Sequence, residues 1–128
     1  MSVASLELCR ELYQLSGWDG THFLYTKSGK VSTIASMFSY KPLPAYDLGY
    51  LLRKLPPELS DEDSRVYLSM NISMTQNWCA RYADAAGNRM NIEKFYAPTP
   101  EDAACKMAIK LFKQGILAPT QLNPKDGE

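Results

Sequence analysis

Thr99-Pro-Glu-Asp-Ala-Ala-Cys-Lys-Met-Ala-Ile-Lys-Leu-Phe-Lys-Gln-Gly115 is the stretch on which the fold turns. Thr99 is suited to cap free amides, and Pro100 falls where a missing N–H costs nothing. Glu101 and Asp102 lie in the first turn, where the helix dipole favours negative charge. Lys106, Lys110 and Lys113 form one stripe; Ala104, Met107, Ala108, Leu111 and Phe112 form a broad apolar one. Gly115 is placed to take a left-handed C′ position, with Ile116 folding back on the last turn. Start, face and stop agree on a helix with an apolar stripe that needs a partner.

That partner is sought in the residues just before it. From Arg65 to Met74 the alternation puts Val66, Leu68, Met70, Ile72 and Met74 on one face. Arg65, Tyr67, Ser69, Asn71 and Ser73 fall on the other, the pattern of a half-buried antiparallel strand. Asn77 to Ala83 alternates around Trp78, Ala80 and Tyr82. Asp84 to Asn88 has turn chemistry, and Arg89 to Tyr96 reads as a returning strand. The closing helix is expected to pack on the Leu68, Met70 and Ile72 face.

Further out, Ser5 to Gly17 reads as a first helix, with Leu8, Cys9, Leu12 and Leu15 on its apolar side. Trp18 to Gly20 is a turn. Thr21 to Thr26 and Val31 to Ile34 read as a hairpin with Lys27 to Lys30 at its tip, the second strand extending toward Tyr40. Pro42 and Pro44 break the pattern. A short helix from Ala45 to Leu55 follows, ended by Pro56 and Pro57. Ser60 to Ser64 is an acidic link, and residues 118–128 read as a C-terminal tail. The expected fold is α+β: one domain over residues 1–117, in the order αββαβββα, with an antiparallel sheet of about five strands and three helices.

The 128 residues carry fourteen basic and fourteen acidic side chains, 45% hydrophobic and 22% charged. A net charge of zero gives no long-range pull toward nucleic acid or an anionic membrane, so neither is expected as a partner. No apolar run reaches the roughly 18 residues of a membrane span, and no charged leader precedes an apolar block. Cys9, Cys79 and Cys105, odd in number and widely spaced, point to buried thiols in a reducing compartment, hence a cytoplasmic address.

Three stretches carry a resemblance: the residues around Trp18, Pro44-Ala-Tyr-Asp-Leu-Gly-Tyr-Leu-Leu-Arg-Lys-Leu-Pro56, and the Thr99–Gly115 helix. Together they resemble small uncharacterised tailed-phage and prophage proteins of the phage ABA sandwich domain type. The resemblance covers most of residues 5–117, and the hairpin from Phe23 to Tyr40 departs from it. It implies a phage origin, an α+β sandwich and action in the host bacterial cytoplasm. It carries no catalytic residue.

Chemistry-bearing residues are sparse. His22 is the single histidine, without the Cys or His spacing of a zinc site, and reads as a surface or capping residue. A nucleophilic pair of His22 with Cys9, Cys79 or Cys105 is the weaker reading, because those cysteines fall on packing faces. Asp61, Glu62 and Asp63 lack the spacing of a calcium loop. No glycine-rich phosphate loop occurs. An enzyme, a metal and a cofactor are therefore not expected.

What does stand out is an excess of aromatic and amide side chains with arginines beside them. Trp18, Tyr25, Tyr40, Tyr46, Tyr50, Tyr67, Trp78, Tyr82, Phe95 and Tyr96 supply the rings. Protein interfaces and nucleotide-like pockets share this mixture, which a small sheet also uses to cover itself. The pleat singles out Tyr67, Asn71, Asn77, Arg81, Arg89 and Asn91 as a candidate binding surface on the wet face. Should a helix cover that face, the site moves to a sheet edge or to the hairpin at Lys27 to Lys30. The expected function is a non-enzymatic phage accessory protein that binds and inhibits a host protein of bacterial defence. The alternative is a nucleotide-signal sponge working as a homo-oligomer. Open sheet edges make a dimer the expected assembly in either case.

Overall fold

The computed structural model describes residues 2–33, 43–60, 65–84 and 94–119. Its elements run α1 (Leu6–Ser16), β1 (Phe23–Tyr25), β2 (Val31–Thr33), β3 (Leu43–Ala45), α2 (Leu48–Lys54), β4 (Glu58–Ser60), β5 (Arg65–Ile72), β6 (Trp78–Ala83), β7 (Phe95–Ala97) and α3 (Pro100–Lys113). The class is α+β, as expected, but the strands form two antiparallel sheets, ordered β2-β1-β3 and β4-β5-β6-β7. Among the described residues seven short strands replace the five expected.

The two extra strands were hidden by prolines. Pro44 sits in β3, which among the described residues pairs only with β1. An edge strand can present one side without a donor, so the residue read as a breaker is tolerated there. The expected helix from Ala45 accordingly starts later, at Leu48, with Asp47 as its N-cap. Pro56 and Pro57 end α2 as expected, and β4 starts directly after them, pairing Leu59 with Val66.

α3 is the pillar of the fold. Thr99 Oγ1 accepts the Asp102 N–H at 3.2 Å. At the other end Gly115, at φ 77°, donates to the Phe112 carbonyl, while Ile116 donates to Leu111. That pair of bonds is a Schellman cap. Ala104, Met107, Ala108, Leu111 and Phe112 are all buried, but so are Glu101, Ala103, Cys105 and Ile109. A helix buried around most of its circumference must be packed from several sides. α1 and α2 lie against one part of it, β6 and β7 against another. The helix sits chiefly over β6 and β7, and the β5 face of Leu68 and Met70 joins the same core at its margin, with Ile72 left exposed. Val66 is buried, Leu68 and Met70 are half-buried, and Ile72 and Met74 are exposed. The alternation of β5 continues past the cover that the helix provides.

α1 runs alongside α3 in the same direction. The Ser5 N–H bonds Asp102, the Cys105 thiol points to the Leu8 carbonyl at 3.6 Å, and Lys113 pairs with Glu11 at 2.8 Å. Three buried tyrosines pin segments far apart in sequence. Tyr25 donates to the Ala4 carbonyl, Tyr46 to Trp18 and Tyr82 to Pro56, at 2.6, 2.6 and 2.7 Å. A buried hydroxyl needs such an acceptor, and each bond fixes where a strand or helix enters the core.

Candidate functional site

The register of the larger sheet defines its two faces. Leu59 and Val66, Leu68 and Tyr82, Met70 and Ala80, and Trp78 and Ala97 are opposed and look toward α3. Tyr67 and Ala83, Ser69 and Arg81, and Asn71 and Cys79 are opposed on the reverse face, with Tyr96 across from Cys79 on β7. Partners directly opposite share a face. Tyr67, Asn71 and Arg81 are therefore brought onto one surface, the one turned away from the helix. Cys79 and Ala83 are buried on that side and stand outside the main core cluster.

Tyr67 and Tyr96 are about half exposed, at 46% and 47%. Asn71 is exposed and its Nδ2 donates to Ser69 Oγ at 3.3 Å. Arg81 is partly exposed, yet its Nε is buried and has no hydrogen-bond partner. Glu58, opposite Tyr67 on β4, is taken by Arg65, whose Nε lies 3.3 Å away. The Asn77 backbone carbonyl closes the β5–β6 turn, accepting from the Ser73 N–H at 2.7 Å. Gln76, at φ 68°, carries the left-handed position of that turn. Arg89 and Asn91 lie outside the described residues, as do Tyr40 and the acidic cluster Asp61 to Asp63.

Most of the aromatic excess proves to be core. Trp18, Tyr25, Tyr46, Tyr50 and Tyr82 are buried. Trp18 meets Phe112 edge-on with ring centres 5.0 Å apart, and Tyr46 stacks on Tyr50 at 5.6 Å. Tyr67 and Tyr96 are the described rings left to meet something else. Tyr96 joins this face through the pairing of β7 with β6, which no local pattern reveals, whereas Ser69 follows from the alternation of β5.

Grooves among the described residues lie elsewhere. One of about 410 Å³ runs between α1 and the β1–β2 hairpin, lined by Leu6, Arg10, Tyr25, Lys27, Ser28 and Leu43 among others. Another of about 250 Å³ lies between α1, α3 and β7, floored by Leu8, Phe95 and Ile109 under Lys106 and Lys113. His22 is exposed and rests edge-on against Phe23. All three cysteines are free and buried. Burial pushes the Cys9 thiol up to about 11 and the Cys105 thiol well above its usual range. A raised thiol pKa is the opposite of what a nucleophile needs. Among the described residues no cluster of His, Cys, Asp or Glu could hold a metal, and no helix is long and apolar enough to cross a membrane. No family model, curated protein or solved structure matches the chain.

Proposed function

We propose that this is a non-enzymatic binding protein that engages a partner protein through the reverse face of the β4–β7 sheet. The observation that carries the reading is the pair of half-exposed tyrosines, Tyr67 and Tyr96, on the face turned away from the helix. Tyrosine offers a large rigid contact area with a polar tip, at the cost of few rotamers, and is enriched where proteins meet. The resemblance to phage proteins supports a host bacterial protein as the partner, with inhibition of that protein, a defence component, as the outcome.

A nucleotide-like ligand is the competing occupant. The face is a surface of strands, whereas small molecules bind in concave sites that enclose most of their area. A homodimer through sheet edges loses part of its motive. β4 and β7 are three residues each, and Lys106 Nζ already donates to the Tyr96 carbonyl at 3.1 Å. The test is capture from bacterial cells by the tagged full chain, followed by reconstitution from purified components. The wild type should form a complex of defined mass with an identified host protein. Tyr67→Ala with Tyr96→Ala should abolish that complex at unchanged melting temperature. A complex that survives both changes, or a chain that pairs only with itself, would refute the proposal.

A further inference from the structure

We infer that the groove between α1 and the β1–β2 hairpin binds a small phosphate monoester, its phosphate held by Arg10 and Lys27. The site is separate from the sheet face and stands whether or not that face binds a protein. Its walls are pinned by the fold. Tyr25 donates its hydroxyl to the Ala4 carbonyl at 2.6 Å, tying β1 to the residues that lead into α1. Leu43 pairs with Tyr25 across β3 and β1. At the hairpin tip Gly29 takes φ 86°, and a Cβ there would lie 4.0 Å from the Leu6 side chain. The groove of about 410 Å³ is thus preformed, within the roughly 300–1,000 Å³ of small-molecule sites.

Its charge is one-sided. Arg10 and Lys27 line it, both exposed, and among its described lining residues there is no Asp or Glu. The sequence carries the same bias: from Gly20 to Tyr46 there are three lysines and no acid, in a chain of zero net charge. Glu11, one residue past Arg10 on α1, is held by Lys113 at 2.8 Å. The hairpin adds a neutral donor. Thr26 and Ser28 share one hydrogen bond between their hydroxyls, at 3.0 Å, and Thr26 Oγ1 also accepts the Lys30 N–H. Two hydroxyls with one bond between them leave one O–H to donate. Two cations and a hydroxyl match the three terminal oxygens and near-double charge of a phosphate monoester. A carboxylate, with a single charge, would leave one cation unmatched. Leu6, Tyr25 and Leu43 supply apolar lining for the organic body of the ester. Arg10, Lys27 and Ser28 all reach solvent, so the phosphate enters without disturbing the core.

The probe is a thermal-shift panel of nucleoside monophosphates and hexose phosphates on the full chain, each at about 1 mM, beside their unphosphorylated parents, inorganic phosphate and acetate. At least one ester should raise the melting temperature by a few degrees, and its parent should not. Calorimetry with that ester should show binding weakened about tenfold by Arg10→Gln and by Lys27→Gln, with the free variants melting as wild type does. Tyr67→Ala with Tyr96→Ala should leave ester binding unchanged, which separates this site from the sheet face. No shift with any ester would overturn the inference. Binding that both charge changes leave intact would overturn the assignment to this groove. Inorganic phosphate or acetate binding as tightly as the best ester would overturn the ligand class.

Discussion

Asp102 Oδ1 accepts the backbone N–H of Ser5 at 2.8 Å, joining the first turn of α3 to the N-cap of α1 across 97 positions of sequence. Ser5 in turn accepts from Leu8 through its own hydroxyl. One carboxylate thus serves the dipole of its own helix and satisfies an amide at the start of another.

Asp102→Ala should therefore cost about 1–3 kcal/mol, since it leaves that amide unsatisfied and removes a charge from the first turn. Asp102→Asn, which keeps an acceptor, should cost visibly less. Urea midpoints of the two variants check this, and equal midpoints for wild type and alanine would contradict it.

Leu111 is fully buried in the pillar helix. Leu111→Ala should cost about 2–5 kcal/mol, the transfer of its methyl groups plus the cavity left behind. Thermal or urea unfolding reads this directly, and a change below about 1 kcal/mol would show that α3 is not packed as described.

Gly115→Ala places a Cβ at φ 77° with no neighbouring atom within 4 Å, so the cost is one of backbone strain alone. A loss of about 0.5–1 kcal/mol is expected. A neutral result in the same unfolding assay would argue against the left-handed cap.

Cys9 should make the fold sensitive to alkali. Burial raises its thiol from 9.0 to about 11, against a smaller opposing effect of the Tyr46 amide. The folded state holds the proton more tightly than the unfolded state. Its contribution to stability is therefore fully present below pH 9 and is lost as pH rises toward 11. Cys9→Ser should flatten that part of the stability profile. In the native protein at pH 8 the three thiols should resist a disulfide reagent and react together only on unfolding, as free but buried groups do.

The α helices were legible because caps, faces and stops coincide in the sequence, at Ser5 and Gly17 as at Thr99 and Gly115. The β3 and β4 strands were not, because each is three residues long and adjoins or contains proline. Their existence depends on a partner strand that no local pattern reveals. The face of Tyr67, Asn71 and Arg81 followed from alternation alone. The membership of Tyr96 required the register of β7 on β6, and the burial of the Arg81 Nε required the packing around it. Ring count alone does not reveal burial: Tyr46 and Tyr82 spend their hydroxyls on backbone carbonyls inside the core.

The most direct measurement is site-specific photo-crosslinking of the full chain in bacterial cells. A photoreactive side chain would replace Tyr67, Tyr96 or Gln14 in turn; Gln14 is exposed on α1, in the helix layer on the other side of the sheet. The account predicts that positions 67 and 96 trap the same host protein and position 14 does not. Trapping from position 14 alone, or none from 67 and 96 in folded protein, would contradict it.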